Sequence, residues 1–405
     1  STKLQARDAI AVTGSVTTTG TPATGASGDV SITTTNSAIT LNKNSSGADV
    51  ISTSDATTGH GGVTISSGSG ATTINGNITA KGQLDIGTTY GAITVGDTEN
   101  AYTLSGSSTN IHTSTGDINI YGTATSSGAT TLENSSSGTI TVVGAVTSTG
   151  ETDGSNVSIT TNNQAISLSQ ATAGDASQNV LYTKKGNVTV SSGKADTTIK
   201  GNADVAGALQ VSTTTGAINV GENAAKSAYT LKGNTVALNS TTGGINLYGL
   251  ATSESSTLLQ TTTGNISVYG GLKTTKDDTN DVQVLTANGD ISLNKNTNLT
   301  DVTKVIESAG DVITITETSD TSSGTIGIYG DVAASTTGNL AVTGKRGNIT
   351  IGADGTDKAV TLSGKKTDIS SINGNIDVHG TITSSTDTTV QTTGTGTITV
   401  VGEVA

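Results

Sequence analysis

Apolar residues come along this chain in short pairs that flank one polar position, with a glycine on each side of the group. Gly116-Asp117-Ile118-Asn119-Ile120-Tyr121-Gly122 is the clearest copy. It returns as Gly243-Gly244-Ile245-Asn246-Leu247-Tyr248-Gly249 and as Gly374-Asn375-Ile376-Asp377-Val378-His379-Gly380. Looser copies run from Gly138 to Gly144, from Gly264 to Gly270 and from Gly396 to Gly402. An alternation of period two marks a short strand with one face inward and one outward. The flanking glycines give the backbone freedom to turn, so Gly116, Gly122, Gly243, Gly249, Gly374 and Gly380 are expected to be structural corner residues. No stretch sustains the three-four apolar spacing of an amphipathic helix, and the chain is expected to be all-β.

The strand motif sits inside a longer repeat. The segment from Asp8 to Val16 matches Gly138 to Val146, Gly264 to Leu272 and Gly396 to Val404, and the four starts are almost evenly spaced. Ala101-Tyr102-Thr103-Leu104 returns in step as Ala228-Tyr229-Thr230-Leu231 and, more loosely, as Ala359-Val360-Thr361-Leu362. Three super-repeats, each of about 130 residues, follow from that period. They occupy 1–137, 138–263 and 264–395, with a fourth copy begun at 396–405. The chain thus enters and leaves in the same phase of the unit. A window cut from a longer array would do this, and so would a subunit whose end continues into the next subunit's start.

Within the first super-repeat, apolar pairs begin near Ile10, Val30, Val50, Ile74, Ile93 and Ile118. That beat predicts six coils of roughly 20–25 residues per super-repeat, as in a solenoid. Eighteen such coils at about 4.8 Å each would make a rod on the order of 85–90 Å long. Ile and Val are expected to point inward and Thr, Ser and Asn outward, with Asn or Asp beside the corner glycines accepting turn hydrogen bonds. The predicted architecture is an elongated parallel β-helix. The pattern itself leaves handedness open, and leaves open as an alternative a row of β-sandwich domains of about 130 residues each.

Composition favours the solenoid. The 405 residues are 32% hydrophobic but only 2% aromatic, with no Phe, Trp, Met or Cys, so a core must be narrow, regular and aliphatic. A sandwich core would ordinarily contain large aromatics. The steady alternation and the single proline, Pro22, argue against disorder despite the polarity. Net charge is −13, thinly spread, and the densest acidic cluster is Asp277, Asp278 and Asp281. No basic patch interleaves with aromatics, so nucleic acid is not an expected partner. The lack of cysteine excludes disulfides and thiolate metal sites, and fits an exported surface protein. No apolar run approaches the length of a membrane span. The chain opens at Ser1-Thr2-Lys3 with neither an initiator methionine nor a signal peptide, as a processed product or a piece of a longer protein would.

The runs TTTGAINVG, STGDINIYGTATSSG and GTITVVGAVTSTG resemble the haemagglutinin-repeat β-helices of large secreted bacterial adhesins of the filamentous haemagglutinin type. The likeness lies in pattern and composition and extends over nearly the whole chain. It implies a right-handed parallel β-helix forming a long extracellular rod. The chain carries no export-domain signature at its N-terminus, and its super-repeat is unusually clear. S-layer and sheath proteins share the same composition.

Candidate chemistry is sparse. His60, His112 and His379 lie far apart and in different phases of the repeat, and His379 stands where Tyr121 and Tyr248 stand in the other copies. Asp153, Asp175, Asp311 and Asp331 are the scattered acids a pectin-lyase-like site would need, but they form no repeated pair, and the only arginines are Arg7 and Arg346. Asp277, Asp278 and Asp281 are the candidate calcium ligands, since a hard cation takes clustered turn oxygens. The nonapeptide motif of calcium-binding β-rolls is absent. Outward positions such as Thr94, Asn119, Thr141 and Asn219 are too mixed for an ice-binding threonine lattice. Tyr121, Tyr248, Tyr269 and Tyr329 each precede a corner glycine, either covering a coil edge or offering an aromatic platform to a glycan.

The expectation is a non-enzymatic structural protein, a stalk or fibre of an extracellular adhesin at the cell surface, with no cofactor expected and calcium the single candidate. Its partners would be further copies of itself, packed laterally or end to end, or a glycan or protein of a cell surface. Two alternatives stand beside it: a self-assembling matrix, sheath or S-layer subunit, and a glycan-binding or glycan-cleaving β-helix.

Overall fold

The computed structural model describes residues 1–18, 28–44, 49–54, 60–171, 178–222, 229–276, 281–294, 304–310, 312–353 and 360–405. The chain divides into two units, Ser1–Gly207 and Ala208–Ala405. Each is a β-solenoid, and among the described residues there is no helix.

In the first unit the strands form three columns of parallel pairs. The first column stacks Thr2–Ala6, Val30–Thr34, Val63–Ser66, Leu84–Thr88, Thr109–Thr113, Thr130–Asn134, Val157–Thr161 and Val188–Ser191. The second stacks Ile10–Thr13, Ile39–Asn42, Thr72–Asn75, Ile93–Val95, the start of Ile118–Ser126, the start of Ile140–Ser148, Ile166–Ser169 and Thr197–Lys200. The third begins at Val16–Thr18 and Asp49–Thr53 and ends at Asn179–Thr183 and Asn202–Val205. Each coil visits the three columns in turn. Eight rungs of about 4.8 Å give this unit a stack of about 35 Å.

The second unit repeats the plan. Its second column stacks Ile218–Val220, Ile245–Leu247, Ile266–Val268, Ile291–Asn294, Ile326–Tyr329, Ile349–Ile351 and the starts of Ile376–Thr392 and Ile398–Val404. Its first column runs from Ala208–Thr213 through Val282–Thr286, Val312–Glu317 and Asn339–Gly344 to the ends of Val360–Ser371 and Ile376–Thr392. All these pairings are parallel, which overturns the sandwich alternative, whose sheets would be antiparallel.

Registry corrects the coil count. Ile10 pairs with Ile39, which pairs with Thr72, and the column continues through Ile93 and Ile118 to Ile140. In the second unit Ile266 leads in the same way through Ile291, Ile326, Ile349 and Ile376 to Ile398. Ile140 is the repeat equivalent of Ile10, and Ile398 that of Ile266. Five pairing steps separate the members of each pair, so each of these super-repeats is five coils, not six. The expected beat failed because it mixed columns: Val30 lies in the first column and Val50 in the third, whereas Ile10, Ile93 and Ile118 lie in the second.

The core is a set of aliphatic ladders. Ile93, Ile118, Ile140 and Ile166 stack in the first unit, and Ile245, Ile266, Ile291, Ile326, Ile349 and Ile376 in the second, all fully buried. Each such side chain contributes about 1.5–3 kcal/mol by burial, and the residues between them point outward.

The corner glycines explain the motif. A Cβ on Gly116 would land on the Gly91 carbonyl oxygen of the preceding rung. One on Gly243 would strike the Gly216 oxygen, and one on Gly374 the Gly347 oxygen. At the next corner, Gly122, Gly249 and Gly380 are closed in the same way by the carbonyls of Tyr102, Tyr229 and Val360, and Gly122 has a φ of +129° besides. Gly116→Ala should therefore cost about 1–3 kcal/mol through overpacking. Gly154→Ala should be near neutral, because nothing lies within 4 Å of its added methyl. Denaturant unfolding of the two variants checks this.

Candidate functional site

The first corner, between the first and second columns, holds a recurring set of buried polar groups. Many first-column strands there end in a hydroxyl that stands five residues before the first second-column isoleucine. Thr34 and Ile39, Thr88 and Ile93, Thr113 and Ile118, Thr261 and Ile266, Thr286 and Ile291, and Ser371 and Ile376 are such pairs. These hydroxyl residues are buried, against the expectation that Thr and Ser face out. Thr88 Oγ1 donates to the Gly91 carbonyl at 2.5 Å, and Thr261 Oγ1 to the Gly264 carbonyl at 2.6 Å. Between rungs, the Thr88 and Thr113 hydroxyls lie 3.0 Å apart, as do those of Thr261 and Thr286. Thr113 and Thr286 in turn accept the N–H groups of Gly116 and Gly289. A hydroxyl is at once a donor and an acceptor, so it can satisfy two backbone groups of a dry corner.

The corner between the third and first columns carries a second set. Ser126 and Thr130 share a hydrogen bond of 2.8 Å, Ser253 and Thr257 one of 2.9 Å, and Thr274 and Ser308 one of 3.0 Å. On the outside, the Asp or Asn after a corner glycine caps the next rung. Asp117 Oδ1 accepts the Thr139 N–H at 2.8 Å, and Asn375 Oδ1 the Thr397 N–H at 2.9 Å. These are the expected turn hydrogen bonds, but they run between coils.

The structure does not bring the sequence candidates together. Asp277 and Asp278 lie outside the described residues, as do Asp175 and Asp311. Asp281 is fully buried, and its Oδ2 accepts the Ser308 hydroxyl at 3.1 Å within the corner network, so it faces the interior. Asp331 caps the Thr361 N–H at 2.8 Å. Among the described residues no three His, Cys, Asp or Glu side chains group as a metal site would require. Of the tyrosines, Tyr102 and Tyr229 are buried, and Tyr248 stacks on Tyr269 with centroids 4.8 Å apart and planes 8° from parallel. Tyr329 is exposed.

One surface pair went unread in the sequence. His112 Nε2 lies 3.4 Å from Asp85 Oδ1 across adjacent first-column strands, and Asn110 donates to the same oxygen at 2.8 Å. The residue in register with His112 is Gly87, which leaves room for the ring. Glu133 follows His112 on the next rung. The hydrogen bond to Asp85 raises the His112 pKa above the ordinary value, with burial opposing, and the same bond holds Asp85 below the carboxylate range. No protein-family model matches the chain, and no curated protein or solved structure is detectably similar to it.

Two outcomes follow. Thr286→Val keeps the shape but strands the Gly289 N–H, and should cost about 1–3 kcal/mol; the outward Thr94→Val should stay within about 0.5 kcal/mol. Denaturant unfolding of each variant checks the pair. For the surface pair, His112 binds its proton more tightly when folded. Its stabilisation is complete below pH about 6.5 and is lost as the pH rises through the raised folded value. The melting temperature of the native chain relative to His112→Asn should therefore fall between mildly acidic and alkaline pH. The shift should be small, since the pair is half-exposed.

Proposed function

We propose that this chain is a non-enzymatic structural protein, a stalk or fibre segment displayed at the cell exterior as part of an adhesin. The observation that carries the reading is the use of the polar side chains. Buried hydroxyls close corners, Asp and Asn cap the next rung, the outward second-column positions are mostly Thr, Asn and Ser, and no three His, Cys, Asp or Glu side chains group together among the described residues. The chemistry present serves continuity of the stack rather than a reaction. A parallel ladder of this kind resists peeling, because each coil is bonded above and below along three columns. The composition, free of cysteine and acidic at −13, suits a protein kept soluble in an oxidising exterior. The partners of such a stalk are a cell-surface glycan or protein, or other copies of the chain, and it works without a cofactor.

Electron microscopy of the purified protein at rising concentration tests the proposal, together with antibody labelling of intact source cells. Slender single particles and surface labelling are expected. Concentration-dependent filaments would replace the stalk by a self-assembling matrix or sheath subunit. Compact beads, or label only in broken cells, would overturn the reading.

A further inference from the structure

At the first corner, the residue closing a first-column strand is a donor to the rung before it in four rungs of the stack. Thr113 donates to the Gly91 carbonyl at 3.3 Å, Asn134 Nδ2 to Gly116 at 2.7 Å, Ser240 to Gly216 at 3.0 Å and Thr286 to Gly264 at 3.3 Å. The acceptor is each time the corner glycine one rung back. The residue in register with Thr286 on the next rung is Glu317, and the corresponding acceptor is the carbonyl of Gly289.

Glu317 is fully buried. Its Oε2 accepts the Lys345 N–H at 2.8 Å, while its Oε1 is buried with no hydrogen-bond partner. Oε1 takes the place of the hydroxyl. A Cβ built on Gly324 would meet the Gly289 carbonyl oxygen and, at 2.7 Å, Glu317 Oε1. A Cβ built on Gly289 would meet the Gly264 carbonyl oxygen and, at 2.9 Å, Thr286 Oγ1. An ionised carboxylate only accepts, so here it would turn lone pairs toward a carbonyl oxygen in a dry corner. A carboxylic acid carries the donor that Thr286 supplies on the preceding rung. The turn after Glu317 is also distinctive: Glu317 stands nine residues before Ile326, where Thr286 stands five before Ile291.

We propose that Glu317 is carried as the neutral acid, its Oε1–H donating to the Gly289 carbonyl, and that loss of this proton releases the turn at 318–325 as a latch. The charged groups around it are few. Asp290 approaches from the preceding rung. Lys345 approaches from the following rung, with its Nζ drawn 2.8 Å from Asp320 Oδ1 of the turn itself. Arg346 anchors the turn through its backbone N–H on the Ser322 carbonyl at 3.0 Å. Burial is the largest influence on the carboxyl and pushes its pKa up. The Lys345 N–H and the nearby Ser322 hydroxyl pull it down by less, and the Asp290 charge adds to the rise. The Ser322 hydroxyl accepts the Gly324 N–H at 3.2 Å and completes no hydrogen bond with Oε1.

Because the folded value is raised, the stabilisation is complete below the ordinary glutamate value of 4.5 and is lost as the pH climbs through the folded one. Glu317→Gln tests this, since its amide donates at every pH. Melting temperatures of the full chain should show the native protein losing ground to Glu317→Gln above pH about 4.5 and then levelling. Hydrogen exchange at 318–325 should quicken in the native chain relative to Glu317→Gln over the same window. A difference that does not change with pH, or one that favours the native chain as pH rises, would sink the proposal. If the variant fails to fold, carboxyl NMR of the native chain decides. One glutamate titrating above the others is expected, and all titrating at or below about 4.5 would overturn the latch.

Discussion

Successive coils of this fold sit one strand spacing apart, and at the corners that spacing leaves no room for a side chain directed along the stack. The carbonyl oxygen of one corner glycine lies where the Cβ of the next would be, from Gly70 through Gly91 and Gly116 to Gly138, and again from Gly216 through Gly243 and Gly264 to Gly289. Glycine there meets a steric demand of the stacking rather than a call for looseness. The aliphatic ladders depend on it, because Ile93 lies over Ile118, and Ile266 over Ile291, only if the corners keep the coils at this distance.

The same closeness creates the polar problem of the interior. A tight corner buries N–H and C=O groups that no strand partner reaches, and leaving one unpaired costs about 1–3 kcal/mol. Thr and Ser are short enough to fit, β-compatible in backbone, and able to donate and accept together. Thr113 shows the whole device: its hydroxyl accepts from the Gly116 N–H while donating to the Gly91 carbonyl. Asn134 does the work with an amide, donating to Gly116 and accepting from Gly138. A core so narrow cannot trade these groups for bulk, which is consistent with a chain rich in Thr and Ser and without Phe, Trp or Met.

Much of this was legible in the sequence. The Gly-to-Gly motif marks the second-column strand with a corner on either side, and the super-repeat returns as equivalent rungs, Ile10 with Ile140 and Ile266 with Ile398. What was not legible has a common cause in the double character of Thr and Ser. Thr88 and Thr94 look alike in the chain, yet one is buried in a hydrogen-bond ladder and the other is outward. Only the five-residue step to the next isoleucine separates them. The coil count failed for a related reason: Val30, Val50 and Ile74 carry the same β-former signal in three different columns, and only registry assigns them. Asp281 was read as a turn acid because position in a cluster says nothing of which way a carboxylate points. No sequence pattern marks the Asp85–His112 pair, whose members stand on different coils and meet only because those coils are adjacent.

The steps between rungs show where the fold tolerates change. In both super-repeats traced the second coil is the longest, from Ile39 to Thr72 and from Ile291 to Ile326, whereas the coil from Thr72 to Ile93 is among the shortest. The first corner takes almost none of that variation, because the hydroxyl, the glycine and the isoleucine must keep their steps for the ladder to close. In the coil from Ile39 to Thr72 the extra length falls outside that corner. Glu317 is the place where the first corner itself is lengthened. There the short hydroxyl is replaced by a longer side chain that still reaches the ladder position. A carboxyl group can fill that position as a donor only by keeping its proton. The sterics of the stack thus set the chemistry of Glu317, where the corner departs furthest from the hydroxyl pattern.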